Sequence, residues 1–147
     1  MIKSSEFISF VKSKVGCYYW FGTFGQLASN YLFNDRKKAY PNYYTASDFA
    51  KQIADPKPCF DCAGLVKSKF VYPKYSAADD LGATGIYGKC NIKGVISDWQ
   101  KLKNGYLVFK GNDKNKSHVG IYIDGKIYEA KGHNPNPIRL YLFLTNH

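Results

Sequence analysis

One cysteine in the chain is placed where it could act as a nucleophile. Cys62 directly follows Asp61, a favoured helix N-cap residue, and the pattern after it predicts a helix that begins at the cysteine. The apolar residues with the spacing of a buried helical face are Leu65, Val66 and Phe70. In a first helical turn the helix dipole favours the thiolate, which is the form that attacks carbonyl carbon. Free cysteines are usually small buried apolar side chains, so the hypothesis requires a base elsewhere in the chain.

A predicted β-hairpin supplies that base. Asp124-Gly125 lies between two β-rich runs and is typical of a two-residue hairpin turn. Counting back from the turn places Gly120 opposite Glu129, so His118 and Glu129 share one face as diagonal neighbours, roughly 7–8 Å apart at Cα. The carboxylate would fix the tautomer of the imidazole and raise its basicity. A cysteine, a histidine and an acidic residue in this chain order indicate papain-like thiol chemistry.

Two alternatives to this assignment remain: a different histidine is the base, or Cys62 is a metal ligand or a redox group. His133 is a rival base, although its Gly-His-Asn-Pro setting is a loop with a less defined position. Cys59 and Cys62 have the spacing of half a zinc site that His118 and His133 would complete, or of a redox pair. A second compact ligand pair and a βαβ pattern are both absent from the sequence. We therefore expect neither a metal nor another cofactor.

The elements that must position these residues are helices first and strands afterwards. Helices are expected over 1–15, over 26–33, from a Thr45 or Ser47 cap through Ile53, from Cys62 to before Pro73, and briefly before Cys90. Strands are expected over 106–109, 118–123, 126–130 and 138–143. This order predicts an α+β fold with N-terminal helices packed on a central antiparallel sheet of about four to six strands.

An aromatic segment punctuated by glycines, residues 17–25, follows the first predicted helix. It contains Tyr19 and Trp20. Such a segment either packs under the core, which we favour, or lines a groove that grips an extended substrate. Both alternatives make it a candidate support for the site.

Charge and composition restrict the partners. The 147 residues fit a single domain, 1–147, and carry 21 basic and 11 acidic side chains for a net charge of +10. An anionic partner is expected: nucleic acid, an acidic membrane surface, or anionic cell-wall polymers. The lysines are scattered instead of following one helix face, so a solvated basic surface is the simplest interpretation. A nucleic-acid-binding module without catalysis stays an alternative, which predicts salt-dependent binding that survives Cys62→Ser.

The N-terminal pattern bears on where the protein acts. Residues 1–15 read as an amphipathic helix interrupted by lysines, which is neither a secretion signal nor a membrane span. We therefore expect synthesis in the cytoplasm with reduced thiols, and action elsewhere only after release.

Three segments resemble the NlpC-type cell-wall cysteine peptidases, a papain-like family. Asp61-Cys62-Ala63-Gly64-Leu65 is similar to the family's nucleophile motif, and the strand 117–123 to its His-Val-Gly-Ile-Tyr strand. Residues 16–22 resemble its Gly-x-Pro-Tyr-x-x-Gly segment, which implies that Tyr19 lies near the nucleophile. The extension 22–26 resembles a phage-endolysin branch. Many members carry histidine at the position of Glu129, and Tyr18 and Tyr106 replace the proline and aspartate usual in the family.

The resemblance implies hydrolysis of an amide bond in peptidoglycan stem peptides by Cys62, His118 and Glu129, without a metal. The implied supporting or substrate-binding residues are Tyr19, Trp20, Asp61 and Gly120. The implied partner is bacterial peptidoglycan. The resemblance further implies that the protein is a phage-type endolysin, which acts on the wall alone or with a separate wall-binding subunit or domain. An N-acetylmuramoyl-L-alanine amidase and an antibacterial effector with the same catalytic centre remain alternatives.

Overall fold

The computed structural model describes residues 3–45, 48–74, 76–97, 99–132 and 139–142. Its α-helices are α1 (Ser4–Ser13), α2 (Asn30–Ala39), α3 (Phe49–Ala54), α4 (Cys62–Val71) and α5 (Ala83–Lys89). Its strands are β1 (Tyr18–Tyr19), β2 (Phe24–Leu27), β3 (Pro58–Phe60), β4 (Leu107–Gly111), β5 (Lys116–Ile123), β6 (Lys126–Glu129) and β7 (Arg139–Leu142). None of the helices in the described part of the chain is both long and apolar enough to cross a membrane.

The larger sheet is antiparallel throughout and has the strand order β4-β5-β6-β7. It confirms the predicted α+β fold and the predicted C-terminal strands. A second sheet has the order β1-β3-β2, in which β1 and β3 are parallel and β2 and β3 antiparallel. Its strands have two to four residues, too few to show a clear alternation in the sequence.

The hairpin of β5 and β6 has the register that its turn predicts. Asp124 and Gly125 both have positive φ, 51° and 77°, as a two-residue turn of this kind requires. The paired positions include Tyr122 with Ile127 and Ile123 with Lys126. The turn therefore determines which face of the sheet each side chain of these strands occupies.

The main core lies between the sheet and the helices. Helix α4 packs against β5, α1 packs against α4, and α5 packs against β5. The buried side chains from one face of the hairpin are Val119, Ile121, Ile123, Tyr128 and Ala130. The opposite face of the hairpin, which carries His118, Gly120 and Glu129, is left for the site.

A second core cluster surrounds Trp20, which is 1% exposed. Its indole N–H donates to the Gln52 side chain at 2.6 Å, and edge-on aromatic contacts join it to Phe33, Tyr44 and Phe49. The predicted core packing of the aromatic segment is therefore correct for Trp20.

The helix predicted over 26–33 is wrong in its bounds. The Ser29 side chain accepts a hydrogen bond from the Leu32 amide at 3.0 Å, which caps α2 so that the helix begins at Asn30. Residues Phe24–Leu27 instead pair with β3. Tertiary pairing overrode the local helical pattern there.

Candidate active site

The nucleophile candidate stands at the start of α4, as predicted. Asp61 is the N-cap residue, and its carboxylate accepts a hydrogen bond from the Gly64 amide at 2.6 Å. Cys62 is the first residue of the helix and is partly buried. The thiol therefore lies at the positive end of a ten-residue helix, where a negative charge is stabilised.

Asp61 also fixes this helix end to the aromatic segment. Its second carboxylate oxygen accepts from the Gly22 amide at 3.0 Å, and its own amide donates to the Thr23 carbonyl at 3.1 Å. Burial raises the pKa of Asp61, while the hydrogen bonds from Gly64 and Gly22 act in the opposite direction. Asp61 is thus a positioning residue that ties the nucleophile to residues 22–23.

The predicted histidine and glutamate are in direct contact. His118 Nε2 and Glu129 Oε2 are hydrogen-bonded to each other, and the two side chains are 21% and 12% exposed. With Nε2 engaged by the glutamate, Nδ1 is the ring nitrogen left for another partner. Cys62 lines the same cleft, and its interaction with the ring is one of the causes that raise the pKa of His118. The thiol, the imidazole and the carboxylate therefore belong to one site.

These contacts change the ionisation of His118. Burial lowers its pKa, but the hydrogen bonds with Cys62 and Glu129 and their negative charges outweigh burial and raise the pKa to about 9. The imidazole is therefore favoured in its protonated form at neutral pH when the cysteine is a thiolate. A thiolate beside an imidazolium is a nucleophile with its general acid in place.

A cleft of about 690 Å³ opens beside Cys62. Tyr19, Phe21 and Tyr43 line one side, where the rings of Phe21 and Tyr43 are stacked 3.9 Å apart. The opposite side belongs to the larger sheet, and its cleft-lining residues include Val108, Lys110, Lys116, His118, Gly120, Ile127, Glu129 and Lys131. The predicted site residues Tyr19, Asp61, Cys62, His118, Gly120 and Glu129 all line this cleft.

Trp20 is the exception among the predicted site residues. It is buried in the second core cluster and is not among the residues that line the cleft. A contact between Trp20 and a substrate is therefore not available. Trp20 supports the aromatic side of the cleft from behind, next to Tyr19 and Phe21 in the chain.

Tyr19 lines the cleft together with Cys62 and His118. Burial raises the pKa of Tyr19, and the neighbouring charges of Asp61 and Cys62 raise it further. The phenol therefore stays protonated and available as a hydrogen-bond donor beside the thiol.

A second cavity of about 610 Å³ adjoins the cleft. The two cavities share the lining residues Phe21, Asp61, Ala63 and Gly82. Arg36, Lys67 and Asp80 add charge to the second cavity, with Lys67 Nζ 3.9 Å from the Asp80 carboxylate. The two cavities meet at the shared residues, and Cys62 lines the first of them.

The cysteine pair of the zinc hypothesis is divided between two environments. Cys59 is fully buried in the second core cluster, where its thiol donates to the Lys57 carbonyl at 3.6 Å, whereas Cys62 lines the cleft. In residues 3–132, apart from the undescribed positions, no group of three or more His, Cys, Asp or Glu side chains has the arrangement of a metal site. All four cysteines are free thiols, and His133 lies outside the described residues.

Several cleft residues were not identified from the sequence. Phe21 and Tyr43 are 22 positions apart and meet only through the tertiary fold, and Lys110 lies just beyond the residues predicted for its strand, 106–109. A signal was available for Lys110 alone: once β4 is paired with β5, Lys110 lies directly opposite His118.

Comparison with known proteins gives one assignment. No curated protein and no solved structure matches the chain. The sequence model of the NlpC/P60 family matches residues 44–136, which is more than half of the chain and includes Cys62, His118 and Glu129. The protein therefore belongs to the NlpC/P60 family, whose members are cysteine peptidases and amidases that act on peptidoglycan.

Proposed function

We propose that the protein is a peptidoglycan endopeptidase in which Cys62 is the nucleophile, His118 the general base and acid, and Glu129 the residue that orients the histidine. The observation that carries this proposal is the hydrogen bond between His118 and Glu129 in the cleft that Cys62 also lines. Membership of the NlpC/P60 family supports peptidoglycan as the substrate. A phage-type endolysin that reaches the wall after release is the role we favour.

The reaction follows from the order of these groups. The Cys62 thiolate attacks the amide carbonyl carbon and a tetrahedral oxyanion forms. His118 then donates its proton to the leaving amine, which departs and leaves a thioester on Cys62. Water, deprotonated by the now neutral His118, attacks the thioester and releases the acid. Glu129 stabilises the imidazolium at each stage and does not itself take the proton.

Two donors are suitable for the oxyanion. The Cys62 amide is at the start of α4, where the helix leaves its first N–H groups without intrahelical partners. The Tyr19 hydroxyl is the second, since it lines the cleft beside Cys62 and its raised pKa keeps it protonated. Each correctly aimed donor contributes about 2–4 kcal/mol to stabilisation of the transition state.

The test is digestion of purified peptidoglycan, followed by mass spectrometry of the soluble products. The wild type should release stem-peptide fragments, and Cys62→Ser should release none. Cys90→Ser is the matched control because that residue is not among those that line the cleft, and its thiol donates to the Ile86 carbonyl at 3.5 Å. Fragments from Cys62→Ser at the wild-type rate would overturn the mechanism.

The new chain ends decide between the activities. An amine end within the stem peptide identifies an endopeptidase, whereas a freed lactyl group on the sugar identifies an N-acetylmuramoyl-L-alanine amidase. Absence of fragments from every wall type tested would redirect the proposal to an effector with another amide substrate.

A further inference from the structure

A buried phenol stands behind the aromatic side of the cleft. Tyr44 is 1% exposed and belongs to the second core cluster, where its ring packs against Trp20, Phe33 and Phe49. Its hydroxyl donates a hydrogen bond to the Phe21 carbonyl. Burial raises the pKa of Tyr44, so the phenol keeps the proton that it donates. The hydrogen bond therefore has a fixed direction, from the side chain of Tyr44 to the backbone of Phe21.

The Phe21 carbonyl shares one peptide unit with the Gly22 amide. The two groups point in opposite directions from a planar unit, so a bond that holds the carbonyl also aims the N–H. The Gly22 N–H donates to the Asp61 carboxylate at 3.0 Å. A chain of hydrogen bonds thus runs from the Tyr44 hydroxyl through this peptide unit to Asp61. Hydrogen bonds in such a chain polarise and strengthen one another.

The backbone at Gly22 needs an anchor of this kind. Its φ is 76°, in the region that favours glycine, and glycine has more conformational freedom than any other residue. The Gly22 carbonyl accepts from Arg36 Nη1 at 3.3 Å, and Arg36 Nη2 donates to the Asp35 carboxylate at 2.7 Å. Arg36 therefore restrains the peptide unit after Gly22, and Tyr44 restrains the unit before it.

The other end of the hydrogen-bond chain is the nucleophile helix. Asp61 uses its second carboxylate oxygen to accept from the Gly64 amide at 2.6 Å, and Cys62 is the next residue in the chain. A buried carboxylate is costly unless its oxygens are hydrogen-bonded, so Asp61 follows the groups that donate to it. A displaced Gly22 amide would therefore move Asp61 and, with it, the first turn of α4.

We propose that Tyr44 is a positioning residue for the reaction: its hydroxyl aims the Gly22 amide at Asp61 and so holds Cys62 in its reactive position. Tyr44 is not among the residues that line the cleft, and it acts on the nucleophile only through Gly22 and Asp61. The proposal rests on the proposed function and adds to it a residue from the second core cluster.

The first test is Tyr44→Phe, which removes the hydroxyl and keeps the ring. Tyr18→Phe is the matched control, because Tyr18 is also buried and its hydroxyl donates to a backbone carbonyl, that of Asp55, at 2.5 Å. Urea unfolding should show a similar loss of stability in both variants. On a soluble stem peptide, kcat of Tyr44→Phe should fall about tenfold with KM unchanged, since small misplacements of a reacting group have effects of this scale. Tyr18→Phe should keep the wild-type kcat, and equal kcat values for the two variants would overturn the proposal.

A double variant tests whether Tyr44 acts through Asp61. In Asp61→Ala the acceptor at the end of the hydrogen-bond chain is absent, so adding Tyr44→Phe should cause no further loss of kcat. If the double variant is slower than Asp61→Ala by the full factor seen for Tyr44→Phe alone, Tyr44 affects the reaction by another route and the proposal is wrong.

Alkylation of Cys62 separates this proposal from the proposed function, because it requires no peptidoglycan substrate. The rate of reaction with iodoacetamide at neutral pH is followed by mass spectrometry of the peptide that contains Cys62. Tyr44→Phe should react more slowly than the wild type and Tyr18→Phe, since a displaced helix end stabilises the thiolate less. Such a difference supports the positioning role whatever the hydrolysis assay gives. Equal rates in all three proteins would overturn it and leave Cys62-dependent hydrolysis intact.

Discussion

Gly64 in α4 lies so close to Thr23 that a Cβ at position 64 would stand 1.9 Å from the Thr23 carbonyl oxygen. The obstructing atom is backbone, and it belongs to the segment that also receives the Asp61 amide. The nucleophile helix can therefore be seated on this segment only because residue 64 has no side chain.

Gly64→Ala should accordingly displace the start of α4 and destabilise the protein by about 1–3 kcal/mol, the usual cost of forcing extra atoms into a packed interior. Peptidoglycan hydrolysis should fall with it, because Cys62 is two residues away. Urea unfolding and the hydrolysis rate measure the two effects.

Gly88→Ala is the control for this substitution. Gly88 is also helical, in α5, but a Cβ there would meet nothing within 4 Å. Alanine should therefore stabilise the helix by about 0.5–1 kcal/mol and leave activity unchanged. Equal stability of Gly64→Ala and the wild type would contradict the close packing described here.

Asp61→Ala should impair both folding and turnover. The substitution removes the acceptor of two backbone amides, Gly64 and Gly22, so we expect at least the ~1 kcal/mol of a lost N-cap and a clear loss of kcat. Ser29→Ala removes a cap of the same kind from α2, away from the cleft. Ser29→Ala should lower the stability by a similar amount and leave kcat unchanged. If kcat of Asp61→Ala equals that of Ser29→Ala, Asp61 does not position the nucleophile.

The parts of the fold that the sequence predicted are those encoded over short distances. The turn at Asp124-Gly125 sets the hairpin register through its own backbone angles, and Asp61 sets the start of α4 through one side-chain hydrogen bond. Once the register is fixed, alternation along the strands puts His118 and Glu129 on one face. This pair was therefore predictable without any knowledge of the packing.

The parts that the sequence did not predict depend on distant partners. The sequence predicts Gln26 and Leu27 at the start of a helix, but Phe24–Leu27 pair with Pro58–Phe60, more than thirty positions away. The stack of Phe21 on Tyr43 likewise requires the turn after α2 to fold back onto the aromatic segment. The approach of His118 to Cys62 depends on packing of α4 against β5, so the sequence could offer it only as a hypothesis.

The raised pKa of His118 predicts how activity depends on pH. The proton that the leaving amine needs is lost as the pH rises through about 9, so kcat/KM of the wild type should fall with a midpoint near that value. Glu129→Gln keeps an acceptor for the ring but removes its charge. We expect this variant to be less active than the wild type and its kcat/KM to fall with a midpoint at a lower pH. The measurement is kcat/KM on a soluble stem peptide over pH 6–10. An unchanged midpoint would mean that another group orients the histidine.

The same shift predicts a pH dependence of stability. A group whose pKa is higher in the folded state contributes its full stabilisation below its ordinary pKa, here 6.5, and loses it as the pH rises through about 9. The difference in free energy of unfolding between the wild type and Glu129→Gln should therefore shrink from pH 6 to pH 10. If the difference stays constant over this range, the hydrogen bond between His118 and Glu129 does not make the stability depend on pH.

Gly120 keeps the cleft open beside the catalytic pair. A Cβ at this position would stand 2.7 Å from the Ile127 Cγ2 methyl group and 3.4 Å from the Glu129 Cβ. Gly120→Val should push its methyl groups toward Glu129 and into the cleft, so we expect a large loss of kcat together with a moderate loss of stability.

Because the closest obstruction is a side-chain methyl group, the double variant Gly120→Ala/Ile127→Ala should recover activity that Gly120→Ala alone has lost. Kinetics of the three variants on one stem peptide measure this, and activity in Gly120→Val equal to the wild type would show that this face of the sheet is not the substrate-binding wall.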